Sequence, residues 1–282
     1  SIPLEYNDNI WGCAKIAYDR GFEGIEAYGA FEYCFDKNFL YLAEIAWNRQ
    51  ASETGTSEQS IVAFTDRYAY RYYPHNFEKA KEAFEGMRQL MTGDYIGNYL
   101  NSLEYYIYSY VRDGKKYPRQ YPGEMYQAVF ASRDAYMPVF ERKRGIAKEC
   151  MDFFTAEKES LLSNDKVNNV WYNVALQYYV TCNEYLTLIS AVEDFNDGKI
   201  SSKDVIVLLA HLIREREKLI RQTEITRIEA NRYLFLRNQS IYRQYLICIK
   251  EYFEKKAASG ESFKFDLTDS DAYMTDGFRF LQ

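Results

Sequence analysis

Histidine is almost absent. With His75 and His211 the only two, a histidine-based metal cluster or a Ser-His-Asp triad has little material to draw on. Cysteine is no richer in chemistry. Cys13, Cys34, Cys150, Cys182 and Cys248 are odd in number and widely spaced, and no Cys-x-x-Cys pair occurs. That argues against a disulfide framework or a zinc site. Cys150, Cys182 and Cys248 fall inside apolar helical patterns and are expected as buried small hydrophobes. No metal site and no cofactor is expected. An excess of positive charge is also missing: 35 basic residues face 41 acidic ones, for a net charge of −6, and the two signs alternate along helical stretches. Nucleic acid asks for a basic face, so it is excluded as a partner. No apolar window approaches the ~20 residues of a membrane-spanning helix. The chain opens Ser-Ile-Pro, without an initiator Met, an apolar leader or a basic n-region, and is read as cut from a longer protein.

Proline and glycine are missing from one long stretch, Ser202 to Ala258. There Val205, Leu208, Leu209, Leu212, Leu219, Ile220, Thr223, Ile228, Leu234, Ile241, Tyr245, Ile249 and Tyr252 recur every three or four residues, the period of one helix face. Charges such as Arg214, Glu215, Arg216 and Glu217 lie between them. The pattern predicts one very long helix or two nearly collinear ones, roughly 80 Å end to end at 1.5 Å per residue. Val167, Val170, Trp171, Val174, Tyr178, Cys182, Tyr185, Ile189 and Val192 make a second stripe within Asp165–Asn196. The short turn at Asp197-Gly198 should lay the two antiparallel. Further helices are expected over Ser57–Tyr72, Phe77–Met91, Tyr95–Val111, Glu124–Ala135 and Val139–Leu162, with a loop at Lys115–Gly123. The tail from Ser259 reads as a short docked strand or a loose end. What is abundant is tyrosine, 28 residues, whose ring with a polar tip suits half-wet helix interfaces and stacking against sugars.

The first fifty residues have a different texture. Leu4–Asn7 reads as a strand end, Ala14–Tyr18 as helix, Gly21–Gly29 as a short glycine-flanked strand, and Phe39–Trp47 as a helix apolar almost all round. Strand, helix, strand, helix is a parallel α/β unit. The polar segment 48–56 is the boundary between residues 1–50 and a helical domain over 51–282. The fold class is therefore mainly α: a helical bundle with very long C-terminal helices, preceded by a short α/β segment.

Two groups of residues carry candidate chemistry. Tyr6, Asn7 and Asp8 with Trp11 set amide and carboxylate groups beside aromatic rings, a combination that can hydrogen-bond sugar hydroxyls while a ring covers the sugar face. The plainer reading is a polar loop with an Asx turn. Glu26, Tyr28 and Glu32, with Glu23, form the second group. Paired carboxylates act as acid and base only when they flank a scissile bond. A buried Glu26 among aromatics would be either hydrogen-bonded structure or a substrate contact. Trp47 is expected as a core anchor.

Phe39-Leu40-Tyr41-Leu42-Ala43-Glu44-Ile45-Ala46-Trp47-Asn48, a polar loop, and then Ile61-Val62-Ala63-Phe64-Thr65-Asp66-Arg67-Tyr68 resemble the end of a glycosidase (β/α)8 barrel. The likeness is to hexosaminidase-like, family 20-type bacterial glycoside hydrolases, which often carry a helical domain after the barrel. Glu224–Arg232 is similar to such helical C-terminal regions. Gly24-Ile25-Glu26-Ala27 through Glu32 resembles the last barrel strand of hexosaminidases, where a Gln-Ala pair precedes a sugar-binding Trp and Glu. Glu26 stands at the Gln position, Glu32 at the Glu position, and Ala30 where the Trp would be. The family's catalytic Asp-Glu pair lies in mid-barrel, outside this chain, so no catalytic residue is assigned. The resemblance implies the C-terminal part of a secreted, periplasmic or surface-bound glycosidase, inactive alone. Its partners would be carbohydrate and the missing N-terminal catalytic region, with Tyr6, Asn7, Asp8, Trp11, Glu26, Tyr28 and Glu32 supplying sugar contacts. The competing expectation is a helical scaffold that binds a protein or glycan without chemistry. An apolar face on Phe39–Trp47 would need covering, by the chain's own bundle through Leu40 and Trp47 or by a second copy in a homodimer.

Overall fold

The computed structural model describes residues 5–26, 36–48, 55–91, 133–159, 165–226, 229–267 and 270–273, and these are mainly helical. The helices are α1 (Asn7–Asp19), α2 (Asp36–Trp47), α3 (Ser57–Tyr72), α4 (Phe77–Met91), α5 (Arg133–Lys158), α6 (Asp165–Asn196), α7 (Ser202–Thr226), α8 (Glu229–Ser259) and the short α9 (Ser270–Tyr273). No helix among the described residues is long and apolar enough to cross a membrane. The helix and loop expected over 95–123 lie outside the described residues.

Local chemistry sets the boundaries. Thr56 and Gln59 form a reciprocal capping box that starts α3. Tyr73 and Pro74 end it, and a 3-10 turn over Pro74–Asn76 leads into α4. The buried carboxylate of Glu157 pins that turn to α5, holding His75 Nε2 at 2.8 Å and Asn76 Nδ2 at 2.6 Å. Gly198 takes the positive φ of 73° that closes the α6–α7 turn, and Ser201 with Asp204 caps α7.

From α3 to α8 each helix runs antiparallel to the one before it. Arg88 reaches Glu58 across α3 and α4. Lys143 Nζ donates to the Leu90 carbonyl across α4 and α5. Phe140 stacks on Tyr185 across α5 and α6. Glu184 pairs with Arg216, and Asn173 with Thr223, across α6 and α7. One large core follows, centred on Trp171, Phe84, Phe154, Tyr178, Tyr245 and Phe253, with a smaller cluster of Leu176, Val180 and Leu219 beside it. Its aromatic rings meet mostly edge-on or tilted, as at Phe84–Trp171 and Tyr68–Trp171.

Four expectations change. First, the long C-terminal stripe is a hairpin and not one collinear rod. Arg216 Nη1 donates to Gln239 Oε1 at 2.6 Å, and Arg243 Nη2 to Glu217 Oε1 at 2.6 Å. In an unbroken helix Arg216 and Gln239 would stand about 35 Å apart. Near the fold-back, the Thr223 and Thr226 hydroxyls donate to carbonyls four residues earlier, at Leu219 and Gln222. This back-bonding weakens a helix without any Gly or Pro.

Second, no strand occurs among the described residues. Asn7 opens α1, and Gly21–Glu26 is turn and irregular chain. A strand exists only by pairing with a neighbour, and the described residues offer none. Third, α2 is buried on one side only. Tyr41 and Ile45 enter the core and Leu40 packs against it, but Trp47 is 95% exposed. Trp47 sits at the last position of α2, past the face that the bundle covers. Fourth, α5 begins at Arg133 and ends at Lys158, earlier than the expected Val139–Leu162. The tail keeps an extended piece docked on α6: the Asn196 amide donates to the Phe265 carbonyl and accepts from its N–H, both at 2.8 Å, as a neighbouring strand would.

Candidate functional site

Asp36, at the first turn of α2, faces the end of α3 and the start of α6. With Tyr68, Tyr72, Lys166, Val167, Val170 and Trp171 it lines a cleft of about 250 Å³. Each element delivers its side chain for a local reason. Asp36 sits where a carboxylate complements a helix N-terminus. Tyr68 and Tyr72 are one turn apart on α3, so both project to the same side. Trp171 is held by its own hydrogen bond, Nε1 donating to the Tyr68 hydroxyl at 3.2 Å. Tyr68 and Trp171 are buried walls, and Tyr72 keeps part of its surface in the cleft.

The electrostatics are mixed. Partial burial pushes the Asp36 carboxyl above its ordinary range, against the opposing pull of Arg71 and Lys166. Burial and the nearby Asp36 charge raise the Tyr72 phenol, which stays protonated as a hydrogen-bond donor. Arg71 is not a lining residue, but its charge reaches Asp36 and its Cζ lies 5.6 Å from the Tyr72 ring centroid. The cleft thus gathers one carboxylate acceptor, a phenol and cationic donors around aromatic walls. It is small against the ~300–1,000 Å³ of drug-sized sites.

The residues singled out from sequence are only partly brought together. Tyr6, Asn7, Asp8 and Trp11 fall on the first turns of α1. Tyr6 and Asp8 are exposed there. Asn7 is 1% exposed, and its amide donates to Glu5 Oε1 at 2.9 Å. Glu5 Oε2 in turn accepts from the buried Lys37 ammonium at 2.9 Å. Burial pushes the Lys37 pKa down, and Glu5 opposes that shift. Asn7 therefore belongs to a structural ion pair joining α1 to α2. Trp11 is half-buried against the core, with its indole N–H unpaired. Glu26 is exposed on the irregular segment after α1, and no hydrogen bond or ion pair among the described residues joins it to the α1 group. Tyr28 and Glu32 lie outside the described residues.

Sequence reading overlooked the cleft itself. Trp171 read only as one member of a core stripe. The pairing of Tyr68 with Tyr72 one turn on was the only local signal. Among the described residues, no three His, Cys, Asp or Glu side chains gather where a metal ion would be held. Cys13, Cys150, Cys182 and Cys248 are free thiols, and Cys34 lies outside the described residues. No family model matches the chain, and neither the curated proteins nor the solved structures searched yield a match.

Proposed function

We propose that the chain is the C-terminal portion of a glycoside hydrolase-like protein. In this reading residues 1–50 are the end of its (β/α)8 barrel, and residues 51–282 form a helical domain packed beside it. One observation carries the proposal. Unlike the successive helices of the bundle, α1 and α2 are parallel: the Tyr6 N–H donates to Asn38 Oδ1 at 3.3 Å at one end, and the Tyr18 hydroxyl donates to the Ile45 carbonyl at 2.6 Å at the other. Short loops between bundle helices give antiparallel neighbours. Parallel neighbours require the chain to run back the length of a helix, about 20 Å here, which is what a strand does between successive helices of a barrel. Residues 20–35 are long enough for that return.

The carbohydrate contact assigned to this chain is the Asp36–Tyr72 cleft, beside the sugar contacts that the resemblance implies at Tyr6, Asp8, Trp11 and Glu26, and at Tyr28 and Glu32 outside the described residues. Asp36 accepts from hydroxyls, Tyr72 donates and offers a ring face, and the parent's bond-breaking carboxylates lie elsewhere. Calorimetric titration with neutral, acidic and amino monosaccharides and their short oligomers tests it. Saturable binding that Asp36→Asn weakens is the expected result. The exposed Trp47 and Phe39 on α2 favour a second reading, a helical scaffold that binds a partner without chemistry. Absence of binding across the sugar panel would leave that reading in place.

A further inference from the structure

We infer that the cleft takes an acidic sugar, a hexuronic acid, with the carboxylate on Arg71 and the hydroxyls on Asp36 and Tyr72; this deepens the carbohydrate reading above and rests on it. The Arg71 guanidinium is exposed and makes no hydrogen bond or ion pair to any described residue. Its Cζ lies 5.6 Å from the Tyr72 ring centroid, so the cation sits beside the Tyr72 wall of the cleft, and a guanidinium offers a planar donor fork that matches a carboxylate. Charge selects among ligands of the same size. Asp36 already feels both Arg71 and Lys166, and burial disfavours its own negative charge. An amino sugar would add a third cation beside these two. A neutral sugar would leave the fork facing water. A carboxylate answers Arg71 directly, while the ring hydroxyls reach Asp36 and the Tyr72 phenol on the cleft wall.

Calorimetry of the full chain with D-glucuronate, D-glucose and D-glucosamine, three rings differing in one substituent, separates the possibilities. Glucuronate should bind about tenfold or more tighter than glucose, the usual margin of a charge-assisted hydrogen bond. Arg71→Gln should remove that margin and leave glucose unchanged, and Arg71→Lys should keep part of it. Arg71 is exposed, so neither substitution threatens the fold. Equal affinity for all three, or glucosamine bound tightest, overturns the acidic-sugar inference while the carbohydrate reading stands. A glucuronate preference that survives Arg71→Gln places the carboxylate elsewhere and also overturns it. No binding of any of the three, nor of the wider sugar panel, removes both together.

Discussion

Arg216 Nη2 lies 2.6 Å from Glu184 Oε2, and both side chains are almost completely shut off from water. The same guanidinium donates to Gln239 and rests 4.8 Å from the Tyr242 ring centroid, so one side chain ties α6, α7 and α8 together. Burial pushes the Glu184 carboxyl up, and Arg216 opposes the shift. A buried pair of this kind adds little net stability over an apolar replacement, but breaking it leaves a naked charge. Arg216→Met should therefore cost about 3–5 kcal/mol at neutral pH in urea denaturation. The sign with pH follows from the raised folded-state pKa. The penalty is present above that pKa and shrinks as pH falls through it, where Glu184 takes up a proton. Arg216→Met with Glu184→Leu should recover most of the loss. A double variant no better than the single one would show that the network, and not the stranded charge, sets the cost.

Two of the three tryptophans separate core from surface. Trp171 is 1% exposed, bonded to Tyr68 and edge-on to Phe84. Trp171→Ala should cost about 3–5 kcal/mol. Trp47→Ala should stay within about 0.5 kcal/mol, as ordinary surface substitutions do. Chemical denaturation of the two variants side by side checks both. A large loss at Trp47 would mean that its ring is covered in solution, by a second copy or another segment.

Where a helix carried a long apolar stripe between clear stop signals, its sequence was enough. Asp165–Asn196, Ser57–Tyr72 and Phe77–Met91 were legible in position and approximate length, because turn residues or Pro flank unbroken 3.6-residue patterns. The α7–α8 hairpin was not, because no Gly or Pro in the sequence marks the fold-back that follows Thr226. Arg216 looked like one of a run of solvated charges, and only the partner helices reveal that it is buried. Trp47 erred in the opposite sense: its apolar character pointed inward, but a terminal helix position has no core to face. The cleft was illegible because Asp36, Tyr72 and Trp171 come from three helices far apart in sequence. No local pattern encodes that meeting.

A close approach of α4 and α5 depends on Gly86. A methyl placed there would fall 2.9 Å from Cys150 Sγ and 3.3 Å from Ile146 Cγ2. Overpacking of this kind costs about 1–3 kcal/mol, against a helix-propensity gain of up to about 1 kcal/mol for Ala over Gly. Gly86→Ala should therefore be destabilising on balance. Cys150→Ala clears the space, so the double variant should lie about 1 kcal/mol above the sum of the two single effects. Simple additivity in equilibrium unfolding would show that the helices shift apart without strain.

The buried thiols give the chain an alkaline limit. Burial pushes Cys150 up to about 12 and Cys182 up to about 12, from an ordinary value of 9.0. The folded-state pKa is raised, so the stabilisation is complete below pH 9 and is lost as pH rises through about 12. Over that window the unfolded chain ionises its thiols while the folded chain cannot. Each buried thiol should then contribute a fall of about 2–3 kcal/mol by pH 11, at 1.36 kcal/mol per pKa unit. Lysine and tyrosine titrate in the same range, so the measurement is a difference. The decline in urea midpoint between pH 8 and pH 11 should be shallower in Cys182→Ala than in the parent. Alkylation offers an independent reading at pH 8. Cys13 is exposed and should react in the native chain, whereas Cys150, Cys182 and Cys248 should react only on unfolding. Rapid native-state labelling of Cys182, or equal pH slopes in the two chains, would show that the α5–α6 interface opens to water far more readily than its packing implies.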